Sequence, residues 1–192
     1  MYLIIGLGNP GLTYKHTRHN VGFMVLDVLR KKYQVRFGRD SGPSRTAQFT
    51  LVKQPILMAK PYTYMNLSGK AVKALIDKYK IKDLSKMLVI CDDINLPFGV
   101  LRMRGSGSAG GQKGLVSIIN QLATAEFPRL RIGIGNHFSD AAAYVLSPFS
   151  EKEQQDLSII LHSAADAVEN FIVNDLHYTM SRYNRNWLIT ND

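Results

Sequence analysis

Tyr2-Leu3-Ile4-Ile5-Gly6-Leu7-Gly8-Asn9-Pro10-Gly11, followed after a polar stretch by Val21-Gly22-Phe23-Met24-Val25-Leu26-Asp27-Val28-Leu29, decides the fold class. The first run is apolar without alternation and is stopped by glycines, the pattern of a strand buried on both faces. In the second, Val21, Met24, Val25, Val28 and Leu29 recur at helical spacing, so the chain from about residue 20 to about residue 33 lays an apolar stripe on that strand. A buried strand feeding an amphipathic helix opens an α/β sheet.

Working outward, residues 34–46 are rich in Gly, Ser, Arg and Pro and show no period. Gln48 to Lys53 and Ile56 to Lys60 read as two short strands about a Gln54-Pro55 turn. Ser68 precedes Ala71, Val72, Leu75, Ile76 and Tyr79, an amphipathic helix whose first amides Ser68 is placed to accept. Leu88 to Cys91 returns to the sheet, and Val100 to Arg104 reads as an edge strand. Gly105 to Gly111 is a flexible glycine-serine loop, Leu115 to Leu122 a helix, and Arg129 to Gly135 another strand. Ser150 and Glu153 have capping-box spacing ahead of Leu157, Leu161, Ala164, Val168 and Phe171, one face of a long helix. Past Asp175 the pattern fades, with Tyr183 and Trp187 as candidate anchors of the tail.

Strands alternating with helices imply an α/β domain with a mixed, mainly parallel sheet covered on both faces. At 192 residues the chain suits one domain spanning 1–192. Its 45% hydrophobic and 20% charged residues exclude disorder and fibrous architectures. Lysine and arginine number 24 against 15 acidic residues, a formal charge of +9 that attracts RNA, DNA or an anionic membrane. The single cysteine, Cys91, lies in an apolar run, so no intramolecular disulfide can form. No signal peptide or membrane-length apolar stretch is evident, and a cytoplasmic location is expected.

Three loops follow strands and share one rim if those strands run the same way: Gly8 to Asn20, Pro61 to Leu67, and Asp92 to Phe98. Gly6-Leu7-Gly8-Asn9-Pro10-Gly11 fits the dinucleotide pattern G-x-G-x-x-G. Yet Pro10 removes an amide, the helix waits until about Val21, and the acidic ribose ligand is missing, which counts against an oxidoreductase. The same loop brings His19 to a helix start. Asp92 and Asp93 follow a buried strand, where a carboxylate can accept the Nδ1 proton of a histidine and stabilise its imidazolium. Imidazole, with an ordinary pKa of about 6.5, suits base work at neutral pH. His16, His19, Asp92 and Asp93 compete as metal ligands, although no ligand-spacing motif appears. No Gly-x-Ser-x-Gly elbow nominates a serine, so attack by water is preferred to covalent catalysis. Asn9 and Asn66 add neutral amides able to hold a carbonyl, a water or an oxyanion.

Together Gly6 to Gly11, Tyr14, Thr17-Arg18-His19-Asn20-Val21-Gly22, Met65-Asn66-Leu67-Ser68-Gly69-Lys70, Asp92-Asp93-Ile94-Asn95-Leu96-Pro97, Gly110-Gly111, Gly114-Leu115 and Arg129 to Gly135 resemble the bacterial-type peptidyl-tRNA hydrolase family over nearly the whole chain. The resemblance implies a monomeric α/β/α sandwich that hydrolyses the ester of peptidyl-tRNA without a metal or other cofactor, recycling tRNA from stalled translation. It implies that His19 is the base, Asp92 its orienting carboxylate, and Asn9 and Asn66 the residues holding peptide and water, with Tyr14 and Met65 lining the peptide cleft. One departure stands out. Where the family usually has Gly-Gly-His-Asn-Gly, this chain reads Gly110-Gly111-Gln112-Lys113-Gly114, putting a charged donor, Lys113, at a substrate contact. An RNA-binding protein without turnover is the alternative this suggests. Arg102, Arg104, Lys113, Arg129 and Arg131 flank the glycine loop as candidate phosphate contacts, and residues 136–143 form a candidate mobile lid.

Overall fold

The computed structural model describes residues 1–39 and 42–189, with the side chain of Arg39 left out. Among these, seven strands make one sheet in the order β2-β3-β4-β1-β5-β7-β6. They are β1 Tyr2–Gly6, β2 Gly38–Arg39, β3 Ser44–Leu51, β4 Gln54–Pro61, β5 Met87–Asp93, β6 Leu101–Arg104 and β7 Arg129–Gly133. The central β4, β1, β5 and β7 are mutually parallel, and β2, β3 and β6 add antiparallel edges. Six helices accompany them: α1 Val21–Lys32, α2 Ser68–Tyr79, α3 Lys113–Leu122, α4 Ala141–Val145, α5 Glu151–Val173 and α6 Leu176–Tyr183. None of the described helices is long and apolar enough to cross a membrane.

The period-2 geometry of a strand divides the core into two layers. Ile4, Met58, Leu88 and Ile90 pack toward Val25 and Leu29 of α1 and Ala164 and Val168 of α5. Leu3, Ile5, Leu57, Val89 and Cys91 pack toward Val72 and Leu75 of α2 and Leu115 and Ile118 of α3. Every residue of β5 is buried, which is why its sequence shows no alternation. The result is the α/β/α sandwich with a mixed, mainly parallel sheet that the sequence implies.

Four local readings change. The β3–β4 hairpin turns at Val52-Lys53, both with positive φ, and Gln54-Pro55 lies inside β4. A two-residue turn of this hand matches the twist of the strands it joins, and β3 reaches back to Ser44 through a stretch whose composition shows no period. Within that stretch residues 40 and 41 lie outside the described residues. Ser68 is the first residue of α2 instead of its cap. The preceding turn Met65–Leu67 runs straight into the helix, and the Ser68 hydroxyl donates to Met65 O at 2.9 Å. At Gln112 the side chain caps α3, so this helix begins two residues before the apolar spacing does. The tail is helical as well: α6 packs on β6, and Tyr183 stacks on Trp187 with ring centroids 5.3 Å apart. The capping box of Ser150 and Glu153 forms as the spacing predicts.

Candidate active site

Because β1, β4 and β5 run the same way, the loops after them meet at one rim. After β1, the chain enters a single turn, Arg18–Asn20, that leads directly into α1. Gly22 lets that turn sit on the strand ends: a Cβ there would lie 2.5 Å from Ile90 O and from Leu7 N. Arg18 braces the turn from behind. Its backbone N–H donates to Ser147 O at 3.0 Å, and its guanidinium donates to Glu153 at 2.8 Å and lies over the Tyr144 ring. Burial pushes the Glu153 carboxyl up, but the hydrogen bonds from Arg18 and Ser150 outweigh it and hold the group below its usual range.

At the rim, His19 Nδ1 lies 2.8 Å from Asp92 Oδ2, joining residues 73 apart in sequence, with side chains 9% and 2% exposed. The carboxylate selects the tautomer with the proton on Nδ1, which leaves Nε2 as the basic nitrogen. Both residues border a cleft of about 770 Å³ shared with Asn9, Met65, Asn66, Gln112 and Lys113. Asp92 Oδ1 accepts from Gln112 Nε2 at 3.0 Å, so both carboxylate oxygens are engaged.

Asn9 is held by a strut of amides. Its N–H donates to Asn20 Oδ1 at 2.8 Å, Asn20 Nδ2 donates to Asn9 O at 3.0 Å, and Asn9 Oδ1 accepts from Met65 N at 2.8 Å. With Oδ1 taken by the backbone, the Nδ2 group is what Asn9 can offer to the cleft. Met65 is buried, whereas Asn66 and Lys113 are exposed at its edge.

Some expected residues fall elsewhere. Tyr14 is absent from the cleft lining; Tyr64 borders the cleft, as do Ala141 and Ala142 of the 136–143 segment read as a lid and Val145 and Leu146 just beyond it. His16 borders a different pocket between α1 and α5, so the four residues weighed as a metal set do not converge. Asp93 is paired with Arg131 Nη1 at 2.8 Å. Burial pushes the Cys91 thiol far above its usual range, with Asp92 adding to the effect, so it stays protonated and inert.

Arg129 and Arg131 are corrected as phosphate contacts. β7 is an interior strand, and its arginines turn inward. Arg129 is 1% exposed and its guanidinium donates to Ala125 O, Phe127 O and Gly107 O. Arg131 is 9% exposed and spends Nη1 on Asp93 and Nη2 on Ser108 O. These bonds hold down the glycine-rich loop. Arg102 and Arg104 alternate outward from the edge strand β6 and are exposed. The residue sequence reasoning missed is Gln112, which attracted notice only as a departure beside Lys113. Its signal was its position three residues before Leu115, at the start of an apolar helix.

Fold and rim together define an α/β protein with a histidine–carboxylate pair, both partners nearly dry, facing an open cleft flanked by neutral amides. Comparison with known proteins makes the class specific. The sequence profile of the family described as peptidyl-tRNA hydrolase matches residues 3–190. Peptidyl-tRNA hydrolase of Chloroflexus aurantiacus is 48% identical over 186 residues, covering 96% of this chain and 99% of that protein. That of Chlorobium limicola is 46% identical over 188 residues, covering 96% and 98%. The crystal structure of peptidyl-tRNA hydrolase from Acinetobacter baumannii superposes with a TM-score of 0.89 at 30% identity, covering 96% of this chain and 94% of that one. The chain belongs to the peptidyl-tRNA hydrolase family.

Proposed function

We propose that the protein hydrolyses the ester joining a peptide to the terminal ribose of tRNA, freeing the tRNA for reuse, and that His19 and Asp92 carry the reaction. His19 Nε2 takes a proton from water as the oxygen attacks the ester carbonyl, and Asp92 stabilises the imidazolium that results. The negative charge that develops on the carbonyl oxygen is received by Asn9 Nδ2, the Asn66 amide or nearby backbone N–H groups. Collapse of the tetrahedral species breaks the bond to the ribose oxygen, which leaves with the proton held by His19. Met65 lines the side that takes the peptide, and Lys113, charged and free of acceptors, holds a carbonyl or a phosphate at the edge. Arg102 and Arg104 engage phosphates of the acceptor stem, a contact that favours tRNA generally over any one sequence. The protein acts in the cytoplasm as a monomer of one domain.

The single observation that carries this reading is the 2.8 Å contact between His19 Nδ1 and Asp92 Oδ2 at the wall of the cleft. Purified His19→Ala protein is expected to keep its fold and lose turnover of peptidyl-tRNA. Cleavage by that variant at the wild-type rate would refute the assignment of the base. Running the assay with and without a chelator separates water activated by histidine from water activated by a metal.

A further inference from the structure

We infer that Gln112 is a positioning residue for this reaction: its side-chain amide locks the plane of the Asp92 carboxylate against His19 with a donor that neither carries charge nor titrates. The inference rests on the reading of His19 and Asp92 given above and concerns what holds the carboxylate.

The amide has one workable orientation. Its Oε1 accepts from Leu115 N at 2.8 Å, capping α3, while Nε2 donates to Asp92 Oδ1 at 3.0 Å and reaches Met65 Sδ at 3.3 Å. Reversed, it would set NH2 against the Leu115 N–H and oxygen against the carboxylate, two repulsive contacts inside a site where Gln112 is 7% exposed. The helix cap therefore forces the donor onto Asp92. The loop before it is pinned: Gln112 N donates to Ala109 O within it, Arg131 Nη2 of β7 to Ser108 O, and Asn95 Nδ2, just past β5, to Gly110 O. A Cβ on Gly110, at φ +58, would sit 2.7 Å from Arg131 Nη1, the nitrogen that Asp93 holds.

A carboxylate bonded to an imidazole through one oxygen alone can still rotate about its own axis and carry the ring with it. A bond to the other oxygen removes that freedom. Charge matters too. A cationic donor would cancel part of the negative charge on which the His19 imidazolium depends, whereas a neutral amide leaves it in place. Among the described residues, the ionisable groups next to Asp92 are His19, bonded to it, Cys91 and Asp93 beside it on β5, Arg131 on β7, paired with Asp93, and Lys113 at the border of the same cleft. Gln112 adds none.

Three variants test this: Gln112→Met, which removes both bonds; Gln112→Glu, which keeps the cap but faces Asp92 with a second carboxyl; and Gln112→His, which returns a donor. Gln112→Met is expected to lower kcat by roughly tenfold or more with KM within about twofold. In Gln112→Glu the two carboxyls must share a proton, so kcat acquires a new fall on the alkaline side of its pH profile that wild type lacks. Gln112→His is expected to recover much of the kcat lost in Gln112→Met. A purely structural role would lower Tm and leave the kcat profile unmoved. If Gln112→Glu is folded and keeps the wild-type kcat and pH profile while His19→Ala is inactive, the inference is wrong and the base assignment stands. If His19→Ala is itself fully active, it is the underlying reading that fails. Should Gln112→Met not fold, Gln112→Glu alone decides.

Discussion

Asn9 stands between two pockets that use charge in opposite ways. On one side, the cleft of about 770 Å³ contains a histidine–carboxylate pair with both partners buried and both carboxylate oxygens bonded. On the other, a cavity of about 440 Å³ is edged by Lys15, Arg30, Arg36, Arg45 and Lys60 around the carboxylate of Asp27. Lys60 Nζ lies 2.8 Å from Asp27 Oδ2 and Arg30 Nε 3.2 Å from Oδ1, but the Asp27 side chain is 43% exposed. Distance alone does not distinguish the pairs. What differs is that Asp92 is cut off from water and aimed by a second donor, whereas Asp27 is shared between two cations and solvated. A short contact becomes a reaction centre when its geometry is fixed, water is excluded from its back and one partner presents a basic nitrogen to the cleft.

This contrast can be broken at three places. The largest effect is expected from Asp92→Asn, which keeps the shape but withdraws the charge facing the imidazole. Its kcat should fall on the order of 10²- to 10⁴-fold with Tm little changed, read by turnover and thermal melting. A variant retaining wild-type kcat would place the two pockets on an equal footing. Next comes Asn9→Ala, at the wall between them. It leaves Met65 N–H without its buried acceptor, so unfolding free energy should drop by about 1–3 kcal/mol, and turnover should suffer because the amide beside the cleft is gone. Urea denaturation measures the first effect and single-turnover kinetics the second.

The smallest effect is expected from Lys60→Met, in the basic cavity. Stability at pH 7 should shift by less than about 1 kcal/mol and turnover by less than about twofold. The pH dependence sharpens it. Burial pushes the Lys60 ammonium below its ordinary value of 10.5, and the Asp27 carboxylate only partly offsets this. Below that lowered pKa both folded and unfolded chains hold the proton, and the full cost of burying the charge is present. Between it and 10.5 the folded chain sheds the proton first, so this group's contribution to stability rises with pH. Lys60→Met should abolish that rise. Unfolding free energies measured across the alkaline range in both proteins would show it, and parallel curves would count against the buried lysine.

Much of the fold was legible. β1, α1, β5 and the capping box of α5 were read from periodicity and spacing because each is fixed by residues near in sequence. The hairpin turn was misread because Pro55 looked like a turn residue. Pro55, however, precedes Ile56, where β4 begins to pair with β1, so its missing N–H is not needed there, and Val52-Lys53 accepted positive φ to give the twist. Ser68 lost its expected cap to the turn that precedes it. At the site, His19, Asp92, Asn9, Met65 and Asn66 were all named, and all border the cleft. Tyr14 and the two arginines of β7 were misplaced because nothing local says whether a side chain on a buried strand or in a loop turns inward. Gln112 was passed over because glutamine is a poor advertisement for a cap, and its partner Asp92 is 20 residues away.

By itself the sequence determined most of the strands and the longer helices, where the main polar loops fall between them, and which residue types are available for acid–base work. Those properties follow from backbone periodicity and side-chain chemistry over a few residues. Only the tertiary structure decided that an imidazole and a carboxylate 73 positions apart touch, that an amide holds the far oxygen, and that two arginines face inward. Such pairings depend on strand order and packing, which bring distant loops to one rim and which no local pattern encodes.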